Sequence, residues 1–165
     1  MRLRLFWIAV AAGLMLLMPE AHAQLSPQWR SCTGNPDVDW DQQIRSCSTL
    51  IQSGRGTTHK RAVAYNNRGN AYDDAGDHDR AIADYGAAIR LDGKNPEAYF
   101  NRGVAYAAKG DLDRAIADLN EAIQLDPTFA FAYLRRGLAR RAQGNSAGAD
   151  ADIAKAKQLN PRLGN

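Results

Sequence analysis

The sequence has little of what most catalytic or metal-binding sites require. Its 165 residues include two cysteines and three histidines. It has no Gly-x-Ser-x-Gly motif, no phosphate-binding glycine loop and no pair of histidines at metal-ligand spacing. An acidic cluster lies where helix-capping and solvated carboxylates are common, and it comprises Asp73, Asp74, Asp77 and Asp79. The sequence therefore predicts a protein that is not an enzyme and holds no cofactor and no metal.

Long apolar runs are also scarce, and the one that stands out lies at the N-terminus. Two arginines within residues 1–4 precede 14 uncharged residues, 5–18, and a small-residue segment ends at Ala23. These are the three parts of a secretory signal peptide. An apolar helix of this length spans about 21 Å, whereas bilayer hydrocarbon is about 30 Å thick. We predict a signal peptide over 1–23, cut after Ala23, and a periplasmic or secreted protein without stable membrane insertion. An uncleaved anchor is the alternative.

The charge balance gives little support to nucleic-acid binding. The whole chain has a formal net charge of +3. Removal of Arg2, Arg4 and Glu20 with the signal peptide leaves 19 basic and 17 acidic residues, a net charge of +2. A near-balanced surface does not attract nucleic acid over its whole area, so no nucleic-acid partner is expected.

Both cysteines lie close together, near the start of the predicted mature chain. An even number of cysteines in an exported protein indicates a disulfide, here between Cys32 and Cys47. A metal site is not favoured, because the mature chain contains only two histidines, His59 and His78.

The sequence repeats itself at a fixed interval. A tyrosine recurs at this interval, and four positions later a glycine recurs as well, giving the pairs Tyr65 and Gly69, Tyr99 and Gly103, and Tyr133 and Gly137. The segment 79–85 recurs as 113–119. Spacings of four and seven positions place Tyr65, Gly69 and Tyr72 on one face of a helix. A glycine followed by Asp or Asn then predicts a helix end and a new cap, at 76–77, 110–111 and 144–145.

A repeat unit of about 34 residues with two helical halves resembles the tetratricopeptide repeat. The resemblance covers residues 62–161 and includes the small residues Ala81, Ala115 and Ala149 and the closing prolines Pro127 and Pro161. It implies an all-α, right-handed superhelix of three full helix-turn-helix repeats, about 62–95, 96–129 and 130–163, plus a degenerate N-terminal half repeat. The chain departs from the family pattern where a leucine is replaced by Arg68, Arg102 and Arg136, where Arg140 replaces an aromatic, and where Gly93 replaces a proline.

The half repeat lies before the first full unit. Residues 41–51 align with 79–89, which places Cys47 at the position of Tyr85. We interpret 39–53 as the second helix of this unit and expect a loop, 32–36, in place of its partner helix. The predicted domains are therefore a signal peptide over 1–23, a disulfide-tied cap over 24–58, and three repeats over 59–165.

The resemblance also implies a concave groove lined by the first helix of each unit, which binds a protein or peptide partner. The residues carried onto this groove are Asn66, Asn70, Asp73, Phe100, Asn101, Val104, Phe131, Leu134, Arg135, Leu138 and Arg141. One family subtype holds a C-terminal carboxylate with five such positions. Here Asn70, Asn101 and Arg135 occupy three of them, whereas Asn66 and Phe131 replace its two lysines.

Charge along the array is uneven, because the first unit is rich in aspartate and the third in arginine. We hypothesise that a bound segment lies with its acidic end near Arg135 and Arg141. The alternative is that the arginines, including Arg136 and Arg140, are solvated charge on the outer surface.

The function predicted is that of a non-enzymatic adaptor or scaffold outside the cytoplasm. One alternative is a structural envelope protein that self-associates, with a homodimer formed through the C-terminal repeat. Another is an accessory factor for envelope polysaccharide or cell-wall assembly.

Overall fold

The computed structural model describes residues 26–34 and 38–164. The predicted signal peptide and part of the predicted 32–36 loop lie outside the described residues. Within these ranges the chain forms eight α-helices and a final 3-10 helix. The helices are α1 Pro27–Cys32, α2 Trp40–Gln52, α3 Thr58–Asp74, α4 His78–Leu91, α5 Pro96–Ala108, α6 Leu112–Leu125, α7 Ala130–Ala142 and α8 Ser146–Leu159, followed by the 3-10 helix Pro161–Gly164.

Successive helices pack as antiparallel pairs, and the pairs stack in chain order. The pairs α3/α4, α5/α6 and α7/α8 pack most extensively, and α4 with α5 and α6 with α7 join one pair to the next. The first helices of neighbouring units also touch, α3 with α5 and α5 with α7. The predicted array of three full repeats after a degenerate unit is therefore confirmed, and α3, α5 and α7 share one face of it.

The recurring glycines permit this close packing. A Cβ atom added at Gly69 would lie 2.6 Å from Cε1 of Tyr85, and one at Gly103 would lie 3.0 Å from Cγ of Leu119. Glycines also end the first helices, because Gly110 has a φ of 79° that side chains rarely adopt. Asp111 follows it, and its carboxylate accepts a hydrogen bond from the backbone N–H of Arg114 at 3.2 Å. The predicted sequence of glycine turn and helix cap is confirmed.

The arginines at the family's leucine position form ion pairs with buried aspartates. In the second unit, Nε and Nη2 of Arg102 donate to the two carboxylate oxygens of Asp118 at 2.7 and 2.8 Å. The guanidinium also lies 5.8 and 6.0 Å from the ring centroids of Tyr99 and Tyr106. The same bidentate pair recurs in the other units as Arg68 with Asp84 and Arg136 with Asp152. Each pair joins the two helices of one unit.

The interpretation of Arg136 and Arg140 as solvated surface charge is wrong. Both donate hydrogen bonds to Asp152, and their side chains are only 14% and 27% exposed. Arg140 stands at the position of Tyr72 and Tyr106, and here it supplies a second cation to the carboxylate instead of an aromatic ring.

The N-terminal unit contains a helix that the sequence analysis did not predict. The six-residue helix α1 packs against α2 in the place of a full first helix. Cys32 and Cys47 are bonded to each other and are fully buried with Ala64 of α3. Trp29, Leu50 and Ile51 pack against this cluster. The cap therefore covers the first face of the array.

Candidate functional site

A cleft lies on the face shared by the three first helices. Its volume is about 280 Å³, and its walls are formed by Asn70, Asp73, Asp74, Tyr85, Phe100, Asn101, Val104 and Arg135. Side chains from α3, α5 and α7 meet here because the units stack with these helices adjacent. The cleft brings together six of the eleven residues predicted for the groove.

An amide network forms the floor of the cleft. The Tyr85 hydroxyl donates to Oδ1 of Asn70 at 2.9 Å, and Nδ2 of Asn101 donates to the same oxygen at 3.1 Å. Nδ2 of Asn101 also reaches Oδ1 of Asn66 at 3.4 Å, and Asn66 is only 6% exposed. Asn66 therefore lies beneath the network and supports Asn101, so little of its surface can contact a ligand.

The network leaves hydrogen-bonding groups free on the cleft surface. Within the described residues, the Asn70 Nδ2 group and the Asn101 Oδ1 atom bond no other side chain or backbone group. An amide of this kind can donate to or accept from the backbone of a peptide without demanding a particular sequence.

The N-terminal end of the cleft is negatively charged. Asp73 lies 2.6 Å from Nδ1 of His78, and Asp74 is exposed beside it. Burial raises the pKa of the Tyr85 hydroxyl, and the nearby carboxylates of Asp73, Asp74 and Asp84 raise it further. Tyr85 therefore stays protonated and donates its hydrogen bond to Asn70.

The other end of the cleft carries one available cation. Arg135 of α7 is exposed and forms no salt bridge with any residue that the structure describes. Arg141, by contrast, donates to Asp150 of α8 at 2.7 Å and does not line the cleft. Of the two arginines predicted to receive an acidic group, only Arg135 lines the cleft.

Apolar surface continues from the cleft along α7. Phe131 and Leu138 are exposed, and Leu134 between them is partly exposed. Phe100 lines the cleft and packs against Phe129 with ring centroids 4.8 Å apart. Exposed apolar side chains next to a polar cleft are typical of a surface that binds another protein.

Two residues that line the cleft, Asp74 and Tyr85, were not among those predicted from the sequence. Tyr85 belongs to a second helix, where the family resemblance places core residues and not ligand contacts. Its counterparts, Leu119 and Ile153, have no hydroxyl group, and this difference was the available signal.

The described residues contain neither a membrane-spanning helix nor a cluster of metal ligands. No helix among them is long and apolar enough to cross a membrane. Nor do three or more histidine, cysteine, aspartate or glutamate side chains converge there as a set of metal ligands.

The repeat pattern agrees with comparisons to known proteins. A sequence profile described as "Tetratricopeptide repeat" matches residues 66–128. The first tetratricopeptide domain of Spaghetti (RPAP3), solved with the HSP90 peptide SRMEEVD, is 32% identical, with a TM-score of 0.62; the match covers 62% of this chain and 82% of that domain. The chain belongs to the tetratricopeptide-repeat family. None of the curated protein sequences compared matches it.

Other tetratricopeptide structures match a similar part of the chain. The second domain of human RPAP3, solved with the HSP70 peptide SGPTIEEVD, is 33% identical over 64% of this chain and 88% of that domain, with a TM-score of 0.62. MamA is 26% identical over 76% of this chain and 71% of its own, with a TM-score of 0.67. The tetratricopeptide chain described here is therefore a protein-interaction module.

Proposed function

We propose that this protein is an exported adaptor that binds a segment of a partner protein in the cleft formed by α3, α5 and α7. The observation that carries the proposal is the cleft itself, where free amide groups, apolar side chains and one unpaired cation meet. Amides suit a peptide backbone, and the apolar surface of Phe100, Val104 and α7 suits the side chains of a bound segment.

The segment lies with an acidic group at Arg135. This cation has no carboxylate partner among the described residues, and a guanidinium binds a carboxylate with two parallel hydrogen bonds. The peptides held by the related Spaghetti and RPAP3 domains both end in Glu-Glu-Val-Asp, so acidic ends suit this kind of groove. Arg141 is left out of this role because Asp150 engages it.

The site of action is outside the cytoplasm, in the periplasm or beyond the cell. The features of residues 1–23 support export, and the pairing of Cys32 with Cys47 suits an oxidising compartment. N-terminal sequencing of the protein recovered from the envelope and medium tests this proposal. A chain that begins at Gln24 supports it, and a chain retained in the cytoplasm with residues 1–23 attached contradicts it.

Capture from the native envelope tests the groove. The full chain is expressed with a C-terminal tag, beside the variant N70A/N101A/R135A. A matched control, Q52A/Q124A/R162A, removes two amides and one guanidinium from exposed positions outside the cleft. We expect a partner that the wild type and the control retain and the cleft variant loses. The identity of that partner also tests the predicted role in envelope polysaccharide or cell-wall assembly.

Calorimetry with the partner segment identified by capture tests whether its acidic end lies at Arg135. Arg135→Glu is expected to weaken binding more than tenfold, because it places a carboxylate against the acidic end of the segment. Arg141→Glu makes the same charge change on the same helix outside the cleft, and little loss of affinity is expected. Equal losses in the two variants would reject the assigned role of Arg135.

Self-association is a second candidate function. The first helix of the next unit packs against α4 and against α6. On α8, by contrast, Ala147, Ala151 and Ala154 are exposed and offer a surface to a second copy of the chain. Light scattering over a concentration series tests this candidate. A mass that rises with concentration supports it, and a constant monomer mass rejects it.

A further inference from the structure

A second cleft lies at the opposite end of α3 from the acidic cluster. It has a volume of about 190 Å³ and is lined by Ile51, Arg61, Tyr65, Ala87, Arg90 and Leu91. It shares no residue with the cleft between the first helices. Two guanidinium groups, one from α3 and one from α4, face this space, and no carboxylate lines it.

The apolar wall of this cleft is a property of the repeat, but its two cations are not. Tyr65 and Leu91 recur in the next unit as Tyr99 and Leu125. The position of Arg90 is instead occupied by glutamine in the second and third units, and that of Arg61 by Asn95 and Phe129. Arg61 belongs to an additional first turn of α3, a helix of 17 residues where α5 and α7 have 13. The fold therefore does not require either cation.

Neither arginine has a partner within the described part of the chain. The acidic residue nearest to Arg90 in the sequence is Asp92. Its carboxylate contacts His59 instead, with Oδ2 3.3 Å from Nδ1. The Nε atom of Arg61 is buried and bonds no acceptor there. A buried donor without an acceptor is destabilising, and native proteins rarely retain one. The partly buried arginines of the interhelical pairs, by contrast, each bind an aspartate with two hydrogen bonds.

We propose that this cleft binds an oxyanion, specifically a phosphate group. Two guanidinium groups supply a double positive charge and paired N–H donors, which match the charge and oxygen geometry of phosphate. The cleft volume of about 190 Å³ is large enough to admit a phosphate group. A bound phosphate also brings oxygen acceptors to the guanidinium group of Arg61. The proposal is independent of peptide binding in the other cleft.

Titration with inorganic phosphate, monitored by nuclear magnetic resonance, tests the proposal. The protein is purified after expression of the full chain, and the arginine Nε–H signals are recorded as phosphate is added at constant ionic strength. Single variants R61Q and R90Q assign the two signals. We expect saturable shifts of both signals, with sodium acetate or chloride at least tenfold less effective.

Two variants of equal charge separate the site from general electrostatics. The double variant R61Q/R90Q is expected to lose phosphate binding at least tenfold, while its thermal midpoint without phosphate stays close to that of the wild type. The control R45Q/R162Q removes two exposed arginines elsewhere and is expected to bind phosphate normally. A linear response, equal effects of acetate and phosphate, or equal loss in both variants would overturn the proposal.

Flotation with lipid vesicles distinguishes the source of the phosphate group. Vesicles of phosphatidylglycerol in phosphatidylcholine are compared with phosphatidylcholine alone. Flotation that depends on Arg61 and Arg90 identifies a lipid headgroup, and phosphate shifts without flotation identify a soluble phosphate compound. The absence of both phosphate-dependent shifts and flotation would reject the site.

Discussion

At the scale of single residues, two glycines inside the helices of the first repeat have opposite effects on stability. Gly69 lies where α3 meets α4, and an added Cβ atom would clash with the Tyr85 ring at 2.6 Å. Gly86, within α4, has no atom closer than 3.6 Å to such a Cβ. Only the first glycine is required for close packing, whereas the second weakens its helix through its conformational freedom.

We therefore expect opposite effects from alanine at these two positions. Gly86→Ala should raise the free energy of unfolding by about 0.5–1 kcal/mol, the usual difference between glycine and alanine in a helix. Gly69→Ala should lower it by about 1–3 kcal/mol through overpacking. Urea denaturation measures both, and a destabilised Gly86→Ala variant would contradict the assignment.

Helix caps supply a pH dependence at the same scale. Hydrogen bonds from the Arg80 backbone and side chain lower the pKa of Asp77, and those from Arg114 lower the pKa of Asp111. A folded-state pKa below the ordinary value, 3.8 in the unfolded chain, gives stability that is present above that pH. This contribution is lost as the pH falls through the lower, folded-state value.

The third repeat provides the matching substitution, because Asn145 caps α8 where Asp77 and Asp111 cap α4 and α6. The variant D77N/D111N keeps the caps and removes their titration. We expect its thermal midpoint to fall less than that of the wild type between pH 5 and pH 2.5. Circular dichroism at several pH values measures this, and identical slopes would show that these two carboxylates do not contribute.

At the scale of elements, the ion pairs fix the two helices of each unit against each other. Asp118 is buried and Arg102 on the facing helix is partly buried, so removal of either partner leaves a charge without compensation. Arg68 and Arg136 also reach back to the preceding unit, where Nη1 donates to Ser48 at 2.9 Å and to Asn120 at 2.7 Å. Gly86 stands at the corresponding position for Arg102 and offers no side-chain acceptor.

A double-mutant cycle tests the pair. Arg102→Leu and Asp118→Ala should each lower the free energy of unfolding by on the order of 3 kcal/mol, and the combined variant should lose much less than the sum. The exposed pair Arg141 and Asp150, at 51% and 73% exposure, is the control, with an expected coupling below about 1 kcal/mol. Additive losses at Arg102 and Asp118 would contradict the proposed pairing.

The elements also show what could be predicted from sequence and why. Tyr65, Gly69 and the glycine turns recur once in every unit, and a regular period of this kind specifies the helix pairs. The arginine pairs could not be predicted, because each aspartate lies on a different helix, beyond the reach of any pattern within the arginine's own helix. Arg135 and Arg141 lie six positions apart on α7, so their side chains point about 120° apart around the helix axis. That rotation separates a cleft residue from one paired with α8.

At the scale of the whole molecule, stability is a sum over neighbouring units, so the ends of the array are its weakest points. The N-terminal end is held by α1 and α2, which bury Cys32 and Cys47 against Ala64. The bond between the cysteines closes a loop with a sequence separation of 15 residues. In the chain-entropy model, such a bond contributes about 3 kcal/mol to stability.

Loss of this bond should therefore open the cap and leave the rest of the array folded. We expect dithiothreitol, or the variant C32S/C47S, to accelerate amide hydrogen exchange in α1 and α2 by at least tenfold. Because each unit contacts only its neighbours, exchange in α7 and α8 should stay unchanged, while α3 responds through its lost contacts at Ala64. Exchange measured by mass spectrometry with and without reductant distinguishes the cases. Uniform acceleration would show that the array unfolds as one unit, and no change would show that packing alone holds the cap.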